Sequence, residues 1–150
     1  MKYAYKLKEY KIKEPEPIVL RGFDRVNGKI VPKIMFFVKY SFNKGYLYLE
    51  DGERMRLTPL SMKVVEQLID ALQNDVPYMS GQRLLEDAGS TQFYIGGLFS
   101  HASNWRKFIT MRVIGYYSLN LYAESTYEDY IRPYLSSLEE SPPEDKGYGW

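Results

Sequence analysis

Residues 56–72 read RLTPLSMKVVEQLIDAL, and the physical chemistry of almost every position in them argues for a helix. Thr58 is a good N-cap, and Pro59 at the first helical position gives up a hydrogen bond that no helix makes there. Behind the cap, Val64, Val65, Leu68, Ile69 and Leu72 recur at helical spacing and form one apolar stripe. The stripe predicts a helix buried in a core. Working outward, Asn74-Asp75-Val76-Pro77 breaks the pattern, and MSGQRLLEDAGS (79–90) offers Ser80 as the cap of a short second helix bearing Leu84 and Leu85. Gly89-Ser90 ends that helix and starts a third through Ile95, Leu98 and Phe99. Two short helices joined by a glycine-containing turn make a helix-turn-helix. Phe108-Ile109 and Tyr116 to Leu121, separated by Met111 to Gly115, then read as two strands and a turn.

Three helices closed by a β-hairpin are the order of a winged helix. The phrases that carry it are RLTPLSMKVVEQLIDAL, MSGQRLLEDAGS, IGGLFSHASNWRKFI and a closing GYYSLNL. Together they resemble the DNA-binding domain of OmpR/PhoB-type response regulators. In that family an LT opening precedes helix one, an S-x-x-x-LL phrase makes helix two and a GY-x-L strand ends the wing. The match covers residues 53–121, a little under half the chain. It implies an α+β winged-helix fold and transcriptional regulation through duplex DNA. One departure is plain, since Leu98-Phe99-Ser100 stands where the family carries a basic Leu-Arg-Lys phrase. The sequence shows no receiver-like segment with a phosphoacceptor aspartate, so receiver phosphorylation is not the expected switch.

A chain of 150 residues with 45% apolar side chains can fill one sizeable core. The absence of cysteine rules out disulfides and thiolate metal sites, and is compatible with a reducing compartment. Met1 to Lys6 alternates charge and aromatics, and no apolar run reaches membrane length, so a cytoplasmic protein is expected. The net charge of +1 conceals opposite ends. Residues 1–40 hold ten Lys and Arg against four acids, 41–123 hold eight of each, and 124–150 hold two against seven. The basic arm is suited to phosphate contacts or, equally, to the solvent face of strands.

Three regions follow from the pattern: an antiparallel β region (1–52), the winged-helix segment (53–123) and an acidic C-terminal helix and tail (124–150). In the first, Tyr3, Tyr5, Leu7, Tyr10 and Ile12 alternate with lysines as in a half-buried strand, which Glu14 to Pro17 ends. Ile18 to Val26 and Lys29 to Val31 flank Asn27-Gly28, whose backbone suits a type I′ hairpin turn. Ile34 to Phe42 is an apolar run, turned by Asn43-Lys44-Gly45 into Tyr46 to Leu49. Glu50-Asp51-Gly52 then leads into Arg54 to Leu57.

Enzyme signatures are missing: there is one histidine, no phosphate-binding glycine loop and no nucleophile elbow. His101 lies among serines, but a triad is built in space, and a surface or capping histidine at the end of the third helix is the plainer assignment. No catalytic activity, metal or cofactor is expected. For duplex DNA, the span Ser90 to Ser103 is expected to present base readers in the major groove. Gln92 is the best of them through bidentate pairing with adenine, supplemented by Tyr94, Ser100, His101 and Asn104. Arg106, Lys107 and Arg112 are the expected phosphate partners, with Arg83 as a fourth. Against this, Thr91 to Ser103 holds no Lys or Arg, and Gly96-Gly97 weakens helix formation by about 1 kcal/mol per glycine. The alternative is a winged helix that serves as a protein-interaction module, which the fifteen tyrosines suit. In the tail, Ser125 and Glu128 form a capping box ahead of an apolar stripe, Tyr127, Tyr130, Ile131, Tyr134, Leu135 and Leu138, which Pro133 should kink. That stripe is expected to pack on its own sheet or to dock on a second copy as a homodimer.

Overall fold

The computed structural model describes residues 15–124. They run in the order β1 (Ile18–Val26), β2 (Lys29–Ser41), β3 (Lys44–Leu49), β4 (Arg54–Leu57), α1 (Pro59–Gln73), β5 (Met79–Ser80), α2 (Gly81–Ala88) and α3 (Ile95–Leu98). A 3-10 turn (Trp105–Lys107), β6 (Ile109–Val113), β7 (Tyr116–Leu119) and β8 (Tyr122–Ala123) complete it. The class is α+β, with every described strand pairing antiparallel. The expected N-terminal strand of Tyr3 to Ile12 and the capped helix from Ser125 lie outside the described residues.

Asn27 and Gly28 take φ of 52° and 77°, the two positive angles that a type I′ turn needs, and they join β1 to β2. The second strand runs unbroken to Ser41 through Pro32, where the sequence suggested a break. The register explains the tolerance. Val26 and Lys29 close the two-residue loop as a hydrogen-bonded pair, so alternation makes Phe23↔Pro32 a non-bonded pair. The proline nitrogen then points to an edge that β3, pairing only Met35 to Ser41, does not reach. Leu20, Met35, Phe37, Leu47, Met55 and Leu57 turn to the buried face. Arg54 and Arg56 alternate with them and stay exposed.

The first helix forms as its sequence requires. Thr58 Oγ accepts from Ser61 N and Ser61 Oγ accepts from Thr58 N, a reciprocal cap with Pro59 just inside. Its stripe of Val64, Val65, Leu68 and Ile69 is buried against the sheet. Ser80 caps α2 and Gly89 ends it with φ of 79°. Gln67 Nε2 donates to the Leu84 carbonyl at 3.1 Å and fastens α1 to α2.

A second sheet, in the order β5-β7-β6, pairs Ile109 with Leu119 and Met79 with Tyr117. The hairpin is longer than expected at one end. Met111 and Val113, assigned above to the turn, belong to β6, and the turn shrinks to Ile114-Gly115, where glycine supplies a φ of 83°. Phe108 is instead buried at the end of the 3-10 turn, and β7 stops at Leu119. Leu121 leads the chain to the first sheet, where Tyr122 and Ala123 pair with Phe23 and Gly22. That crossing is close: a Cβ on Gly22 falls 2.2 Å from the Tyr122 carbonyl oxygen. Among the described residues one hydrophobic cluster unites the two sheets and the three helices, with Val65, Leu68, Leu84, Phe108 and Leu119 inside it. Of the third helix's apolar residues, Leu98 is only partly buried, whereas Ile95 and Phe99 are buried.

Candidate interaction surface

The segment between α2 and β6 departs most from expectation. The third helix does not span Ser90 to Ser103; it is the single turn Ile95–Leu98. Helix propensity and side-chain competition account for this. Gly96 and Gly97 lower the return on helix formation, Ser90 Oγ accepts from Gln92 N, and Ser100 Oγ donates to the Gly97 carbonyl. Ile95 and Phe99 still reach the core, and Phe99 stacks on Trp105 with centroids 5.9 Å apart. Gly97 has a further role, because a Cβ there falls 2.6 Å from Gln92 Oε1. The Gln92 side chain therefore lies against the backbone of α3, an approach that Gly97 permits.

Several of the expected DNA contacts are bonded within the fold. His101 Nε2 lies 2.6 Å from the Arg56 carbonyl oxygen and ties its loop to β4, a role beyond that of a surface or capping histidine. Asn104 Nδ2 donates to the Arg54 carbonyl and to Glu53 Oε2. Lys107 Nζ pairs with Glu53 at 2.9 Å, and that hydrogen bond and charge raise the lysine pKa above its ordinary value. Arg106 stays exposed with its guanidinium over the Trp105 ring at 5.3 Å, and Arg83 makes a loose contact with Asp87 one turn on. Tyr94 and Ser100 are exposed.

Arg112 faces inward. The β6–β7 register shifts between Met111 and Val113, and such a bulge re-aims the side chain it carries. Arg112 Nε donates to Ser118 Oγ at 2.7 Å, and Nη2 donates to the carbonyls of Leu119 at 3.2 Å and Leu121 at 3.0 Å. Its guanidinium also covers the Tyr122 ring at 4.4 Å. Burial pulls its pKa below the ordinary guanidinium value, while Tyr122 and Asp24 pull it back. The arginine clasps β7 to the segment that enters β8.

What the hairpin shows to solvent is apolar. Ile114 is 89% exposed, Met111 and Val113 are each 51% exposed, and Tyr116 and Tyr78 meet edge to face at 5.4 Å. Phe93, before α3, is also 89% exposed beside Tyr94. The hairpin turn is set beside the start of α2, where Gly81 N donates to the Gly115 carbonyl at 2.9 Å. Of these exposed aromatic and aliphatic residues, sequence reasoning singled out only Tyr94. The available signal was the Met-x-Val-Ile phrase around a turn glycine, an apolar tip where a turn is ordinarily polar.

Among the described residues no group of three or more His, Asp or Glu is placed to hold a metal ion, and no helix is long and apolar enough to cross a membrane. The stripe from Tyr127 to Leu138 lies outside the described residues. Comparison with protein-family models, curated proteins and solved structures finds no match.

Proposed function

We propose that this chain is a winged-helix protein whose wing and helix-turn-helix form a protein-interaction surface and carry no catalytic activity. The winged-helix assignment is supported by the order α1, β5, α2, α3, β6, β7, by the pairing of β5 with β7, and by the glycine-ended α2 that leads into α3. One observation carries the functional reading: the wing points Met111, Val113, Ile114 and Tyr116 outward and its arginine inward. A wing that tracks a phosphate backbone needs its cations outside, because neutralising phosphates supplies most of the affinity. Exposed aromatic and aliphatic side chains suit the desolvated centre of a protein interface.

Duplex DNA is the second reading, favoured by a specific feature. Arg54, Arg56 and Arg106 are exposed on β4 and the 3-10 turn, and Arg83 is exposed on α2. One experiment separates the two. A photo-crosslinking side chain at Ile114, in the full chain expressed in cells, is expected to capture a protein whose yield falls when Val113 and Tyr116 become aspartate. Capture of nucleic acid in its place, together with duplex binding in solution that weakens steeply with salt, refutes the interaction reading and supports DNA.

A further inference from the structure

We propose that the cleft between α1 and the β6–β7 hairpin binds a small organic anion with an apolar body, of the chemistry of a medium-chain monocarboxylate. The cleft has a volume of about 330 Å³, within the range of sites that enclose small molecules. Leu68, Leu72, Val76, Tyr117, Leu119 and Leu121 give its wall an apolar stretch. An apolar wall alone takes any greasy molecule of the right size, and selectivity comes from the few polar groups that converge on it.

The group that decides here is Arg112, which lines the same cleft. Its hydrogen bonds go to the Ser118 hydroxyl, two carbonyls and the Tyr122 side chain, all neutral partners. Among the described residues no carboxylate lies within ion-pair distance of it. Those bonds occupy Nε and Nη2, and the Tyr122 side chain, which also lines the cleft, bonds the same guanidinium, so a ligand's head competes with neutral partners only. Among the described residues only neutral groups touch this half-buried cation, with Asp24 attracting it from farther away, and a carboxylate entering beside it gains a charge-assisted hydrogen bond in a poorly screened site. Two acids oppose a larger charge. Asp75, itself engaged with another group, is in the cleft wall, and Asp24 acts on Arg112 from farther away while bonded to Lys33 Nζ. A monoanion therefore fits better than a dianion, with its head at Arg112 and its tail along Leu68, Leu72 and Val76. Bound there, it bridges α1 to the hairpin. The inference does not depend on which partner the wing takes.

The test titrates isotope-labelled full-length protein at neutral pH with octanoate and, separately, with 1-octanol, following amide and Arg112 Nε–H resonances. Octanoate is expected to shift Leu72, Val76, Tyr117 and the Arg112 side chain, and to bind about tenfold or more tightly than the alcohol of the same length. Val76→Trp, a change at an exposed position on the rim, is expected to fill the mouth and weaken both ligands by about tenfold. Equal affinity for acid and alcohol, binding that Val76→Trp leaves unchanged, or no shifts up to the solubility limit each overturn the proposal.

Discussion

Arg112→Met keeps the aliphatic stem and removes the fork, so it asks whether this arginine holds the fold or touches a ligand's phosphates. The three hydrogen bonds are not equivalent. Leu119 O also accepts from Leu121 N at 2.8 Å and from Ser118 Oγ at 2.9 Å, so it keeps partners without the arginine. Leu121 O receives Arg112 Nη2 at 3.0 Å, at the point where the chain leaves one sheet for the other, and is the group left unpaired. An orphaned, poorly hydrated carbonyl costs about 1–3 kcal/mol. Loss of the guanidinium over Tyr122 adds about 0.5–1 kcal/mol. Relief from holding a charge in a half-buried place offsets part of both, and the expected net loss is about 2–3 kcal/mol. At about 4 °C per kcal/mol for a domain of this size, the melting temperature falls by about 8–12 °C. Scanning calorimetry on wild type and variant reads that shift. Hydrogen exchange should place the first loosened amides in β7 and β8. An unchanged melting temperature combined with a salt slope of DNA binding reduced by about one unit identifies a phosphate contact, and the structural argument is then wrong.

Four other outcomes follow from particular contacts. Gly22→Ala drives a methyl into the Tyr122 carbonyl, which backbone cannot yield cheaply, and circular-dichroism melts should show a loss of about 2–3 kcal/mol with β8 released from β1. Thr58→Ala removes half of the reciprocal cap on α1 and should cost about 1 kcal/mol by urea titration, with an unchanged denaturant slope. Arg106→Met and Arg83→Met leave stability within about 0.5 kcal/mol, and if the second functional reading holds each lowers the salt slope for duplex binding by nearly one unit. The Lys107–Glu53 pair gives a pH test whose sign is set by the lysine's raised pKa. Its contribution is present below the ordinary lysine value and is lost as pH rises through the raised one, so wild type and Lys107→Met should converge in alkaline solution. High salt should shrink the difference at every pH, because the ammonium is solvated.

Elements written in short-range chemistry were legible from the sequence. Thr58-Pro59 before an apolar stripe, Ser80 before Leu84-Leu85, Gly89 after them and Asn27-Gly28 between two strands each specify backbone angles or caps within a few residues. The described structure has all of them. Long-range packing decided what no local pattern encodes. Gly96-Gly97 signalled a weak third helix, but which of its residues reach the core, Ile95 and Phe99 with Trp105 packed against them, is set by the tertiary fold. Met79-Ser80 is too short to read as a strand and exists because β7 pairs with it. Tyr122-Ala123 likewise becomes a strand only where Gly22 lets the chain pass. Charge in the candidate site was the least legible property, since a sequence counts arginines without showing their direction. A bulge in β6 turned Arg112 into the protein and left Val113 and Ile114 facing water, and Glu53, just before β4, with Arg54 and Arg56 in it engaged Lys107, Asn104 and His101 from some fifty residues away. Side-chain direction depends on which neutral acceptors and carboxylates the tertiary fold brings within hydrogen-bond reach, and that is a property of the packed chain alone.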